Sequence, residues 1–355
     1  MLVRLIANEL VLMLSSPGPG CVCSWPWFCA GAASRYPVCD HSPVEPTELI
    51  RLIKEIGRGK HAARDLNRDD AHALFAAVLA GTVPDLQLGA VLMALRIKGE
   101  SIDELAGFMA ACEASYPHLS APAGAVPLVI PAYNGARQLP NLTPLLAHWV
   151  AREGVPVLMH GVRDDPGRVT THDVLAAMGI SSAQSLAEAE AQLQTRRLAF
   201  ICIDRLTPAL ARVLSLRRQM GVRSSGHTLA KMLQPFNGPA VRLVSVTHPE
   251  YVVRMREFFS RFDVGGANAL LLRGAEGEAV AHPRREPAID WLDGKSVQTW
   301  RTDAEDNPPL PASRDAQVTA EWIAGALAGR HSTPAAIKHQ AACCVKAAQL
   351  LSNRR

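Results

Sequence analysis

The residues best suited to chemistry in this chain lie in three stretches that are rich in cations and poor in the usual catalytic sets. The first, PAYNGARQLPNLTP (131–144), joins an apolar run to a helix-like segment and offers Tyr133, Asn134, Gly135 and Arg137. Strand-to-helix junctions of this kind hold phosphate on backbone amides, normally with several glycines. The second, HGVRDDPGRVTT (160–171), carries His160, Arg163 and Arg168. The third, RRQMGVRSSGHTLAK (217–231), carries Arg217, Arg218, Arg223, His227 and Lys231. Taken singly, each reads as a loop with solvated arginines. Three together at one sheet edge would make a surface for a polyphosphate or a nucleic-acid backbone.

The charge distribution points the same way. Between Arg196 and Arg256 eleven Lys/Arg stand against Asp204 and Glu250, a local excess of +9 that leaves the rest of the chain at −5 within its net +4. A basic concentration of this kind is the electrostatic footprint of a polyanion, set against the plainer reading of a solvated helical face. Apolar residues make up 48% and charged residues 20% of the 355, which fits a globular protein and excludes a largely disordered one.

The elements that must position these loops can be read from periodicity. Residues 45–118 read as a small all-helical domain. Its helix signals are Thr47 as a cap with a stop at Gly57, Asn67 with a stop at Gly81, a run from Asp85 to Lys98, and the capping box SIDE at Ser101–Glu104. After PHLSAPAGAVP, short apolar runs at 128–130, 155–160, 198–203, 241–246 and 268–273 alternate with helix patterns at 143–153, 171–178, 186–194, 207–220 and 249–262. That order predicts a larger, mostly parallel α/β domain over 126–352, with helices on both faces. Thr-Pro pairs at Thr143-Pro144 and Thr207-Pro208, and Thr247-His248-Pro249, look like caps with proline in the first turn. Residues 274–315 read as irregular with possible short strands, followed by helices near 316–328 and 334–351.

Cys112, Cys202, Cys343 and Cys344 sit in apolar contexts and read as buried thiols of a reducing, cytoplasmic compartment. Cys21, Cys23, Cys29 and Cys39 have spacings that match no common zinc site. Residues 1–44 read as an extension outside the fold, from a start assigned upstream. No segment approaches the roughly 18 apolar residues of a membrane span.

At this level the sequence resembles a known family. LNRDDAHALFAAVLAGTVPDLQLGAVLMALRIKGESIDELAGF resembles the helical domain of anthranilate phosphoribosyltransferases and class II nucleoside phosphorylases. MHGVRDDPGRVTTHDVLAAMGI is similar to their K-H-G-N-R…D-V-L-x-x-L-G segment, and RRQMGVRSSGHTLAKMLQP to their R-R-x-L-G-x-R-T…G-P-L-x-N-P segment. The resemblance covers about 46–350 and is nearest to the YbiB-like subfamily, through IKEIGRGKHAARDL, ALRIKGE and the YNGAR loop. It implies a helical domain on an α/β domain, a homodimer through the helical part, and, for this subfamily, binding of DNA, with RNA as a second candidate, rather than transfer.

Departures from the family's pattern support that implication. Where the family holds phosphoribosyl pyrophosphate on G-T-G-G-D, this chain has Ala132, Tyr133, Asn134, Gly135 and Ala136. Met159 replaces the lysine and Val162 the asparagine of K-H-G-N-R. The family's adjacent Asp-Glu for magnesium becomes Glu276 and Glu278 split by Gly277, a poor substitute for a metal site. Lys231 replaces a proline, Arg168 a lysine, and Arg223 keeps the position of the family's substrate-carboxylate arginine. The leading expectation is therefore sequence-independent nucleic-acid binding with no cofactor, phosphates meeting Arg137, Arg163, Arg168, Arg217, Arg218, Arg223, His227, Lys231 and Asn134, with Tyr133 either packed, as a lone tyrosine beside a proline more often is, or stacking on a base. The alternative is a phosphoribosyltransferase using Mg²⁺ and phosphoribosyl pyrophosphate, with His160, Arg163 and Arg223 as its working residues.

Overall fold

A computed structural model describes residues 45–354 apart from 60, 248, 263–267, 286, 295 and 303–308. The expected extension 1–44 with its four cysteines, and part of the Thr247–Pro249 cap, lie outside the described residues.

Four helices form the first domain: α1 (Pro46–Ile56), α2 (Arg68–Ala80), α3 (Asp85–Lys98) and α4 (Ile102–Glu113). Asn67 Oδ1 caps α2 by accepting from Asp70 N at 2.8 Å, and Gly81 ends it with φ +78°. Ser101 and Glu104 form the expected capping box of α4. Thr47 does not cap α1, because Pro46 starts the helix one residue earlier. Lys98 Nζ reaches both Asp65 (2.6 Å) and the fully buried Glu104 (2.7 Å), tying the end of α3 to the start of α4.

The second domain follows as β1 (Leu128–Ala132), α5 (Thr143–Arg152), β2 (Val157–Gly161), α6 (Thr171–Ala177), α7 (Leu186–Arg196), β3 (Leu198–Cys202) and α8 (Ile203–Leu206). Next come α9 (Pro208–Ser215), α10 (Arg217–Met220), α11 (Ser225–Ala230), β4 (Val241–Val246), α12 (Pro249–Arg261) and β5 (Asn268–Arg273). It closes with β6 (Ile289–Asp293), β7 (Ser296–Trp300), α13 (Ala316–Leu327) and α14 (Ala335–Ser352). The sheet order is β3-β2-β1-β4-β5-β6-β7. β1 to β5 run parallel, as expected from alternation, and β6–β7 is an antiparallel hairpin added at one edge.

Alternate residues of each buried strand serve two cores. Val129, Leu158, Ile201, Val244 and Leu271 join the helical domain and α9, α11 and α12. Leu128, Val157, Phe200, Leu243 and Leu270 pack against α5, α6, α13 and α14. The strand order reverses direction between β1 and β4, so a crevice opens beyond their carboxyl ends.

Three local expectations need correction. Thr143 is the first residue of α5 rather than its cap, and Asn141 Oδ1 accepts from Thr143 N at 3.2 Å instead. The single helix expected over 207–220 breaks into α9 and α10, although Thr207 does cap α9 through Leu210 N. The third cationic loop contains a short helix, α11, that its sequence did not announce.

The tightest crossing is between α2 and α4. A Cβ added at Gly107 would lie 2.3 Å from Arg68 O and 2.8 Å from Ala71 Cβ, so only glycine permits this approach. Gly107→Val is expected to lower unfolding stability by about 1–3 kcal/mol, read by urea denaturation, and an unchanged midpoint would contradict the crossing.

Candidate phosphate-loop and cleft site

The loop after β1 is the structural counterpart of a phosphate cradle, and its donors are already engaged. Gly135, at φ +65°, turns the loop so closely against the next one that a Cβ there would lie 3.1 Å from both Arg168 Cβ and Val169 O. Ala136 and Val169 exchange backbone hydrogen bonds of 2.8 and 3.0 Å, which pins the two loops together.

The anion that fills the cradle comes from the turn after β5. This turn is closed by Ala275 N donating to Val280 O (2.8 Å) and Glu278 N donating to Ala275 O (2.8 Å). It projects two carboxylates. Glu278 Oε1 accepts from Asn134 N at 2.7 Å and from Gly135 N. Glu276 accepts from Arg137 N (2.7 Å), Gln138 N (2.9 Å) and Leu139 N (3.3 Å). With Ala136 N on Val169 O, all six amides from Asn134 to Leu139 donate within the chain. A row of amides is an anion nest, and here the chain supplies its own anions.

The turn reaches this geometry through a left-handed Glu276 (φ +52°) and Gly277 at φ +87°, where a Cβ would collide with Asn134 Nδ2 at 2.0 Å. Gly277 O accepts from Asn134 Nδ2 (2.5 Å), Lys231 Nζ (3.1 Å) and Ser245 Oγ (3.3 Å). Burial pushes the Glu278 carboxyl above its ordinary range, opposed by the two amides and by the cations of Lys231 and Arg168. Burial also drives Lys231 down to about 8, a shift that the charge of Glu278 opposes and those of Arg223 and Arg168 reinforce.

Of the two glutamates considered above as magnesium ligands, Glu276 and Glu278 Oε1 are bonded to amides and cations stand beside Glu278, while Glu278 Oε2 is buried without a hydrogen-bond partner. Among the described residues, no group of three or more His, Cys, Asp or Glu could hold a metal ion. Asn134 and Tyr133 are likewise withdrawn from any ligand. Asn134 is 3% exposed and bonded into the turn; Tyr133 is 6% exposed with its hydroxyl 2.6 Å from His160 Nδ1, so it offers no face to a base. His160 is fully buried, burial lowers it to about 3, and its Nε2 has no hydrogen-bond partner. This buried, neutral imidazole joined to Tyr133 links the end of β1 to β2.

The cations also divide. Arg217 pairs with Asp165 at 3.1 Å and Arg218 with Asp164 at 2.8 Å, so both brace the second loop against α10. Arg168 Nη1 donates to Asn134 O (3.1 Å) and Gly135 O (3.3 Å). Arg137 and Arg163 are exposed on their loops. Much of the basic stretch is structural: Arg197 donates to Gly154 O, Arg212 to Val78 O, Arg256 pairs with Asp290, and Arg242 lies buried with its guanidinium 4.7 Å from the Phe259 ring centre.

What remains lines a cleft of about 530 Å³ between α3, α11, the end of β4 and α12. Arg223, His227 and Lys231 line it, joined by Arg96 and Tyr251, which sequence reading missed because they come from elements distant along the chain. His227 Nδ1 accepts from Ser224 N at 3.2 Å as part of the α11 capping box. Burial, aided by Arg223 and Arg217, lowers it to about 4, so at neutral pH it carries no charge. Burial and the charges of Arg217 and Arg168 also lower Arg223, which still keeps its charge.

Comparison with known proteins places this arrangement. Residues 50–115 match the helical bundle domain of the glycosyl transferase family, and residues 135–353 match its a/b domain. An uncharacterized protein, YbiB of Escherichia coli K12, is 47% identical over 301 residues, spanning 84% of this chain and 93% of that one. Anthranilate phosphoribosyltransferase of Sinorhizobium medicae is 32% identical over 219 residues, 61% of this chain and 63% of its own length. The fold is that of anthranilate phosphoribosyltransferase from Thermus thermophilus, at a TM-score of 0.69 and 22% identity over 87% of this chain and 90% of that one. The Saccharomyces cerevisiae enzyme in complex with PRPP and Mg superposes with a TM-score of 0.67 at 15% identity, over 88% and 90%. The chain thus belongs to the glycosyl transferase family as a YbiB-like member with the phosphoribosyltransferase-like fold.

Proposed function

We propose that this protein binds nucleic acid, DNA and also RNA, without sequence choice, on a phosphoribosyltransferase-like fold that has lost its pyrophosphate cradle. The observation that carries this reading is the filled loop. With six amides engaged by Glu276, Glu278 and Val169, phosphoribosyl pyrophosphate finds no donors there. Arg223, Lys231 and Arg96 in the cleft, with exposed Arg137 and Arg163 on the neighbouring loops, still present charge to a phosphate chain. Lys and Arg act here by neutralising phosphates and releasing counterions, which needs no cofactor.

A second reading, phosphoribosyl transfer, is favoured by the family match and by the yeast relative's complex with PRPP and Mg. It requires Glu276 and Glu278 to leave the loop. Magnesium separates the two, since transfer depends on it and phosphate contacts do not. Fluorescence anisotropy with unrelated labelled strands in EDTA is expected to give binding whose log affinity falls with log salt by roughly 0.7–0.9 per phosphate contact. Arg223→Gln and Lys231→Gln are each expected to weaken all sequences alike and to reduce the salt slope by about one. Because Lys231 loses its proton near 8, affinity should also decline from pH 7 to pH 9 in the wild type and not in Lys231→Gln. With His227 neutral down to about 4 and Lys231 already protonated, no gain is expected between pH 6.5 and 5.5. Absence of binding at low salt would overturn the reading.

Assembly as a homodimer through the helical domain is part of the same proposal. α3 leaves Leu86 (88%), Ile97 (70%) and Met93 (36%) exposed, and α1 adds Ile50 (44%), an apolar face that a second copy would cover. Light scattering should report a dimer, and Leu86→Glu with Ile97→Glu a folded monomer. A monomeric wild type would contradict the dimer.

A further inference from the structure

The chain treats the two edges of its sheet differently. At one edge Ala183 N donates to Phe200 O at 2.7 Å, so the segment before α7 covers part of β3. At the other lies β7, which pairs with β6 from Ile289↔Trp300 to Asp293↔Ser296. Among the described residues no strand lies on its outer side. The N–H and C=O groups of such an edge are a template for another extended chain, and they are usually guarded by lysine, proline or inward-pointing charge. β7 reads Ser-Val-Gln-Thr-Trp and carries none of these. Its first four residues are exposed, Val297 among them at 43%.

A second feature sits where β7 ends. A pocket of about 400 Å³ opens between Trp300 and α14, with Arg301, His339, Cys343 and Lys346 in its lining. Trp300 stacks on the buried Trp291, ring centres 6.0 Å apart and planes at 19°, and Lys346 Nζ lies 4.4 Å from the Trp300 ring centre. The indole thus holds the ammonium at the pocket wall. His339 Nε2 is engaged by Cys343 Sγ at 3.5 Å. Arg301 and Lys346 are exposed and have no carboxylate partner among the described residues, so the pocket's open charge is positive.

Strand geometry joins the two features. Trp300 and Gln298 stand opposite Ile289 and Trp291 and share the α14 face, whereas Thr299 turns the other way to donate to Asp290 Oδ1 at 2.7 Å. In a strand added beyond β7, every second side chain would point to the α14 face and so toward the pocket. The charge there calls for carboxylates. A second copy of the chain does not fit. Lys295 and Arg301 bracket β7 in sequence, so antiparallel pairing of two copies would set Arg301 opposite Lys295. Like charges directly opposite destabilise a ladder.

We propose that β7 receives an extended, acidic segment of another protein, which adds to the outer edge of the sheet by main-chain pairing and lays alternate carboxylates against Arg301 and Lys346. This surface is separate from the cleft, with which the pocket shares no lining residue, and it does not depend on the nucleic-acid reading.

The probe is a fluorescein-labelled nonapeptide of alternating aspartate and valine. Its anisotropy is compared with that of a lysine–valine peptide of equal length and of the acidic peptide with its backbone amides N-methylated. The acidic peptide is expected to bind about tenfold or more tightly than either control. Arg301→Glu and Lys346→Glu should each weaken it by a similar factor. Hydrogen exchange at the outward amides of β7 should slow when the peptide is bound. Binding should persist in the Arg223→Gln, Lys231→Gln double variant; its loss there would place the peptide on the cleft cations and overturn the edge assignment. Equal binding of the three peptides, unchanged exchange at β7, or no binding of the acidic peptide would overturn it as well. So would self-association of the wild type that Gln298→Pro removes, which would give the edge to a second copy. The peptide comparison on the wild type needs no variant to fold.

Discussion

The carboxylate of Glu278, buried against the amides of Asn134 and Gly135, is the contact on which the arrangement of this site depends. An ionised carboxylate at 2% exposure is costly unless donors surround it. The loop after β1 supplies two donors to Oε1, leaving Oε2 without a hydrogen-bond partner, and the loop's amides would equally be costly to bury without an acceptor. Each partner therefore makes the other tolerable. Glu276 repeats the device one turn away on Arg137, Gln138 and Leu139. The same donors that would cradle a pyrophosphate thus hold the β5 turn onto the β1 loop.

The consequences spread outward from that contact. Gly277 must be glycine because Asn134 Nδ2 occupies the space of a side chain, and its carbonyl in turn receives Lys231. Lys231 is thereby held where burial lowers its proton affinity to about 8, at the edge of the cleft. Arg168 is drawn inward to the carbonyls of Asn134 and Gly135, while Arg217 and Arg218 are engaged by Asp165 and Asp164. Of the cations on the three loops, Arg223 and Lys231 thus line the cleft on the α11 side, while Arg137 and Arg163 stay exposed on the first two loops.

The architecture was legible in the sequence, and the site only partly so. Period-2 and period-3.6 patterns with caps at Asn67, Ser101 and Thr207 are local signals, and the structure realises them. The parallel order followed from strand–helix alternation, which leaves few alternatives for connecting buried strands. The loops after β1 and β2 were correctly placed at the sheet's carboxyl edge, and Arg223 and Lys231 do meet in one cleft. What could not be read was which donors are free. Glu278 lies 144 residues from Asn134, and Glu276 139 from Arg137, so no spacing rule connects them. Sequence reasoning weighed those glutamates only as metal ligands, although the loss of glycines from the loop signalled that an ordinary phosphate was no longer its partner. For Tyr133 and His160 the sequence left packed and ligand-facing roles open for a related reason: side-chain types fix what a residue can do, while burial decides whether a ligand can reach it.

Filling of the loop from Asn134 to Leu139 by the chain's own carboxylates is open to direct measurement. Phosphoribosyl pyrophosphate with Mg²⁺ is titrated calorimetrically into the wild type and into a Glu276→Gly, Glu278→Gly double variant. The expected result is no saturable binding by the wild type across the usual substrate range of about 1 μM to 1 mM, with pyrophosphate binding gained when the carboxylates are removed. Saturable, magnesium-dependent binding by the wild type in that range would contradict the account.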